Sequence, residues 1–153
     1  MSEREYDLVV VGAGPAGSSA AYAAAKNGIK VALLEKEENV AQTVRTSGVT
    51  WIDYAKEFGI PEDCYNPIRT YNFCSPNNTI SISDEQPKAA VLDVRKTYRF
   101  LAEQAKKNGA KIFVNTNVTE VITEDEKVVG VKASSANDEI TFRAKVVLSL
   151  IHI

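Results

Sequence analysis

The chain has 153 residues, 44% of them hydrophobic and 25% charged, which suits one soluble globular domain with its own core. Eighteen basic against twenty acidic residues give a net charge of −2, and no run of Lys or Arg forms a patch, so nucleic acid is not an expected partner. Met1-Ser-Glu-Arg-Glu5 lacks the apolar stretch of a signal peptide and no apolar run is long enough to cross a bilayer, so a cytoplasmic location is expected.

Tyr6–Val11 is a short, β-branched apolar run that breaks into Gly12-Ala-Gly-Pro-Ala-Gly17, the pattern of a buried strand entering a tight turn. Ala16–Asn27 is alanine-rich and helix-compatible, and Asn27-Gly28 supplies a stop. Val31–Leu34 is a second buried strand and closes a βαβ unit of about thirty residues. In such a unit Gly12 makes the turn, Gly14 lets the backbone approach a pyrophosphate, and Gly17 lets helix and strand pack closely. The helix start, with its unpaired N–H groups, favours an anion. Glu35 follows Gly12 by twenty-three residues, at the end of the second strand, where a carboxylate can accept bonds from a ribose diol. Strand, three glycines, helix, strand and terminal acid together predict a dinucleotide site rather than a packing turn.

Val11-Gly-Ala-Gly-Pro-Ala-Gly17 with Leu33-Leu-Glu-Lys36 resembles the N-terminus of FAD-dependent oxidoreductases of the glutathione-reductase superfamily. Pro15 in the turn and Lys36 beside the acid carry that resemblance. Within the superfamily the chain is most similar to the geranylgeranyl reductase group, itself similar to aromatic-ring hydroxylases and flavin-dependent halogenases. The resemblance implies a Rossmann-like α/β domain with a parallel central sheet and an antiparallel β-meander. It implies FAD as cofactor, held by Gly12, Ala13, Gly14, Pro15, Ala16, Gly17, Glu35 and Lys36, with NAD(P)H or another reductant as electron donor.

Residues 37–46 are polar and without period. A short helix follows Gly48, with Trp51, Ile52, Ala55 and Phe58 on one face and Gly59-Ile-Pro61 at its end; Trp51 reads as a core anchor. Arg45-Thr-Ser-Gly48 matches the segment that passes over the cofactor in the resembled flavoproteins, which makes Arg45, Ser47 and Gly48 candidate ligands. A solvated loop arginine is the alternative for Arg45. The group's Cys-Gly pair near the flavin falls at Ser47-Gly48, so a thiol role is not carried over. Cys64 and Cys74 read as reduced thiols without metal spacing.

Tyr71–Ser75 and Thr79–Ser83 flank the turn cluster Pro76-Asn-Asn78 and predict a hairpin, which the resemblance places on the substrate side. Ala89–Leu92 is a further strand. Asp93 is positioned to cap a helix running to Asn108 and Gly109, with Tyr98, Leu101, Ala102 and Ala105 as its buried stripe. The resemblance makes Arg95 a candidate pyrophosphate ligand, against a surface salt bridge. Lys111–Asn115 is a third parallel strand, and Asn117-Val118 matches the place where main-chain groups recognise adenine, so Val118 joins the site.

Val118–Thr123, Val128–Ala133 and Glu139–Phe142 form the meander, separated by turns at Asp125-Glu126 and Ala136–Asp138. Lys145-Val-Val147 begins another buried strand. Leu148–Ile153 reads as the translation of a transposon-end adapter, against a genuine terminal strand. Residues 1–147 are thus expected to be a C-terminally truncated FAD-binding fragment, with residues 66–92 a substrate-side insertion. His152 then carries no chemistry, and no catalytic residue is assigned. The implied activity is hydride transfer from reduced flavin to isoprenoid double bonds of a lipid, with peripheral membrane contact. The rivals are a flavin monooxygenase or halogenase, a non-catalytic dinucleotide-binding redox module, and a plain NAD-dependent dehydrogenase, against which the meander and the Pro15 turn count.

Overall fold

The computed structural model describes residues 2–135 and 138–151. It divides into two compact units, Met1–Thr43 with Tyr98–Ile153, and Val44–Thr97.

The first unit is built on a six-stranded sheet of order β8-β2-β1-β11-β10-β9. Its strands are β1 (Ser2–Val11), β2 (Val31–Leu34), β8 (Lys111–Phe113), β9 (Asn117–Glu124), β10 (Lys127–Ser135) and β11 (Asp138–Ser149). β8, β2, β1 and β11 run parallel, while β10 and β9 continue as an antiparallel meander. Period-two alternation sorts the central strands between two cores. Val9, Val11, Ala32, Leu34, Val131 and Phe142 meet on one face. Val10, Val31 and Leu33 meet Ala21 and Ala25 of α1 (Pro15–Lys26), together with Ala105, on the other. Burial on both faces explains why the β1 and β2 runs are apolar throughout. Tyr6, Phe113 and Phe142 add an aromatic cluster with ring centroids 5.2–6.3 Å apart.

Glu139–Phe142 and Lys145–Val147 are not separate strands but halves of β11, which pairs with β10 on one side and β1 on the other. The alternation Ile140, Phe142, Ala144 buries one side without a break, so nothing interrupts the strand. Leu148 and Ser149 keep its register, opposite Val10 and Val11. The Asp125-Glu126 turn is present, with both residues at positive φ, +48° and +61°, as a tight hairpin requires. The predicted turn at Ala136–Asp138 and the histidine at 152 lie largely outside the described residues.

The second unit holds a sheet of order β3-β7-β4 and a hairpin β5-β6. β3 is Val49–Trp51, β4 Tyr65–Ile68, β5 Thr70–Cys74, β6 Thr79–Ser83 and β7 Ala89–Leu92. Pro67 is tolerated because β4 is an edge strand. The short helix α2 (Ile52–Glu57) buries Ile52 and Ala55, but Trp51 is 57% exposed and Phe58 66% exposed. Trp51 is therefore not a core anchor. It precedes the helix in extended conformation, so the strand period governs it and sends it to the exposed side with Val49. Cys64 is buried and Cys74 exposed, both as free thiols. Asp93 caps α3 (Val94–Lys107): the Lys96 N–H donates to its Oδ1 at 3.0 Å. Among the described residues no helix is long and apolar enough to cross a membrane.

Candidate functional site

The site in the first unit forms where β1 and β2 end side by side. Gly12 turns the chain at φ +100°, a conformation that favours glycine, and its N–H donates to Leu34 O at 2.8 Å. α1 then starts at once, with Gly14 as N-cap and Pro15 in its first turn. No side chain caps this end and no acid occupies the first turn, so the positive end of the helix is not neutralised from within.

The three glycines have different surroundings. A Cβ on Gly17 would lie 1.9 Å from Gly12 O, so the close approach of helix and turn forbids a side chain there. A Cβ on Gly14 would meet nothing within 4 Å, and its φ of −70° and ψ of −176° are open to any residue. Among the described residues nothing requires glycine at position 14. Open space in front of an uncapped helix start is what a bound pyrophosphate uses.

Glu35 stands at the end of β2 with both carboxylate oxygens engaged. Oε2 accepts the Ala13 N–H at 2.9 Å and Oε1 accepts the Glu37 N–H at 3.0 Å. The β8–β9 connection closes over the same residues: the Thr116 N–H donates to Glu35 O at 2.8 Å, and the Asn115 N–H to Glu37 O at 2.7 Å. A cavity of about 40 Å³ lies beside the turn, lined by Gly12, Glu35, Lys36, Asn117 and Val118 among others. A wider, open groove of about 560 Å³ adjoins it through Lys36 and Asn117. Gly12, Glu35, Lys36 and Val118 thus share one cavity, and Gly14, Pro15, Ala16 and Gly17 form the adjoining helix start. Ala13 is buried and its N–H is taken by Glu35. Glu37, Asn115 and Thr116 were not legible as site residues, because they act through backbone groups.

The second unit carries the other candidates. Arg45 and Ser47 are exposed on the loop before β3. Gly48 is buried at φ +75°, and a Cβ there would lie 2.7 Å from Val94 and 2.9 Å from Leu92 O. Its lack of a side chain thus has a packing reason. The Leu92 N–H donates to Gly48 O at 2.9 Å, which ties this loop to the strand leading into α3. Arg95 is exposed in the first turn of that helix. Burial pushes the Cys64 thiol above its ordinary pKa, helped by the neighbouring Asp63 carboxylate, so it stays protonated.

The family described as FAD dependent oxidoreductase matches residues 7–149. The digeranylgeranylglycerophospholipid reductase of Methanocella arvoryzae is 37% identical over 151 residues, 95% of this chain and 38% of the relative. The crystal structure of a geranylgeranyl bacteriochlorophyll reductase-like protein from Thermoplasma acidophilum superposes with a TM-score of 0.87 at 31% identity, over 97% of this chain and 39% of that one. A flavin-dependent brominase follows with a TM-score of 0.76 and 26% identity, over 95% of this chain and 37% of its own. The chain therefore spans less than two-fifths of the length of these relatives.

Proposed function

This chain belongs to the FAD-dependent oxidoreductase family, and from that premise we propose that it forms the adenosine-diphosphate side of a flavin site in a reductase of isoprenoid lipids. The observation that carries the nucleotide site is Gly14: open space, relaxed backbone, and an uncapped helix start beside it. In this reading the α1 start receives the pyrophosphate. Glu35 accepts the ribose hydroxyls through lone pairs left over from its two N–H bonds. Lys36 flanks the ribose, and Val118 meets adenine through its main chain. The resemblance keeps Arg45, Ser47 and Arg95 as further candidate ligands, since arginine forks suit phosphate oxygens. When bound, FAD supplies the redox chemistry, with the reduced ring as hydride donor.

The superfamily of glutathione reductase and the isoprenoid-lipid substrate both belong to this proposal. So do peripheral membrane contact and the division into an FAD-binding part at 1–147 and a tail at 148–153. The substrate class rests on the names of the relatives and on the better superposition of the reductase-like structure than of the brominase.

Two measurements test it. ADP titrated into the 153-residue chain is expected to bind, and Glu35→Ala to weaken it about ten- to a hundred-fold, the worth of charge-assisted bonds. Then, in a protein of the relatives' length carrying this chain, dithionite-reduced flavin is expected to saturate a digeranylgeranyl glycerophospholipid, read as hydrogen uptake by mass spectrometry. Unchanged lipid, with flavin reoxidised only by oxygen, would point to the monooxygenase or halogenase chemistry instead.

A further inference from the structure

The N–H groups of Gly12 and Ala13 are both pinned to the end of β2, one by the backbone carbonyl of Leu34 and the other by the Glu35 carboxylate. Ala13 is 1% exposed, so its N–H has little access to water, and a buried N–H without a partner is costly. The same carboxylate reaches forward to the Glu37 N–H. One side chain therefore bridges the turn before α1 and the chain after β2. The bridge uses a property peculiar to an ionised carboxylate. It is acceptor-only at two oxygens, so it takes one N–H on each and keeps lone pairs free. A glutamine has a single acceptor oxygen, and its NH2 would face the second N–H donor to donor. An aspartate is one methylene too short to keep both bonds in this backbone.

We propose that Glu35 is a positioning residue: by bridging Ala13 and Glu37 it holds the glycine turn in its anion-accepting shape before any nucleotide arrives. This rests on the reading that the turn receives a pyrophosphate, and it gives the acid a task besides meeting the ribose. Ribose contact alone would leave the turn indifferent to position 35 until a nucleoside was present. The bridge makes the turn depend on position 35 for every ligand of the helix start, including one with no sugar.

The test uses the full 153-residue chain and its Glu35→Ala and Glu35→Gln variants. Amide hydrogen exchange is followed by NMR without ligand, with Val9 and Val10 within β1 as reference amides. Glu35→Ala is expected to speed exchange at both Ala13 and Glu37 relative to the references, by about five-fold or more, the scale of one hydrogen bond. Glu35→Gln is expected to speed only one of the two, and it remains a usable variant if the alanine form does not fold. Exchange that stays unchanged at Ala13 and Glu37, or that rises equally at the reference amides, overturns the positioning role. The second arm titrates inorganic pyrophosphate, which lacks ribose. Glu35→Ala should weaken it by about five-fold or more, whereas equal affinity for native and variant overturns the proposal. If the native chain binds no pyrophosphate, the nucleotide reading falls, and the exchange pattern alone decides the positioning role.

Discussion

Gly14 and Gly17 are neighbours in one helical turn, yet a methyl group added to each meets opposite surroundings. At Gly17 it runs into the Gly12 carbonyl, and backbone cannot move aside as a side-chain tip would. Gly17→Ala is expected to cost about 1–3 kcal/mol, the range of an overpacked site, read from chemical denaturation. At Gly14 two small effects oppose each other. Alanine is a poorer N-cap than glycine, but it also restricts the unfolded chain. Gly14→Ala should therefore lie within about 1 kcal/mol of the native chain. Gly14→Val should fold and lose ADP binding, because its side chain fills the open space. A Gly14→Val chain that binds ADP normally would mean that no ligand uses that space.

Strand β1 is held to β11 by more than its ladder. Lys145 Nζ lies 2.7 Å from Asp7 Oδ1, and the Lys30 N–H donates to Asp7 Oδ2 at 3.1 Å. The bond from Lys145, then that from Lys30, hold the Asp7 carboxyl below its ordinary pKa. The bond to Asp7 raises that of the Lys145 ammonium. A depressed carboxyl contributes stability that is full above the unfolded pKa, near 3.9, and is lost as pH falls through the folded value. A raised ammonium contributes fully below its unfolded pKa, near 10.4, and loses this as pH rises through the folded value. Asp7→Asn is thus expected to lower the denaturation midpoint at pH 7, and the gap to the native chain should close in acid below about pH 3.9. A gap of the same size in acid would assign the effect to something other than charge. At the start of α3, Asp93→Ala should cost about 0.5–2 kcal/mol through loss of the cap, checked by denaturation at pH 7. That cap was legible in advance, as were the βαβ unit, the β5-β6 hairpin and, in the α3 stripe, the buried Ala102 and Ala105, because each is fixed by neighbours in sequence; Tyr98 and Leu101 of that stripe are only half-buried. Trp51 was misread because helical spacing was extended one residue too far, into β3. β3 and β4 were missed because one has three residues and the other contains Pro67, so neither shows a period. The bridge from Glu35 to Ala13 and Glu37 left no trace, since two of its three partners are backbone groups.

In the second unit the hairpin β5-β6 is amphipathic across its two strands. Phe73 faces Ile80 and Tyr71 faces Ile82, while the opposite side pairs Asn72 with Ser81 and Thr70 with Ser83 through hydrogen bonds. Phe73, Ile80 and Ile82 are each more than half exposed. Uncovered apolar side chains of this kind favour self-association. The double substitution Phe73→Ser with Ile80→Thr is expected to reduce light scattering at a given concentration and leave the far-ultraviolet circular dichroism unchanged; equal scattering would place the adhesive surface elsewhere. β11 has a consequence of a different kind, for the order in which the molecule assembles. It lies more than a hundred residues along the chain from β1 yet pairs with it, from Ser2 opposite Ile140 to Val11 opposite Ser149. The strand that ends in the glycine turn therefore keeps one naked flank until residues 138–149 have been made. Pairing across so great a sequence separation raises contact order, and closing so long a loop is slow. On the ribosome, β1, α1 and β2 can meet early, but this flank of β1 closes only after β11 has cleared the exit tunnel, so the nucleotide site matures well after its own residues have emerged.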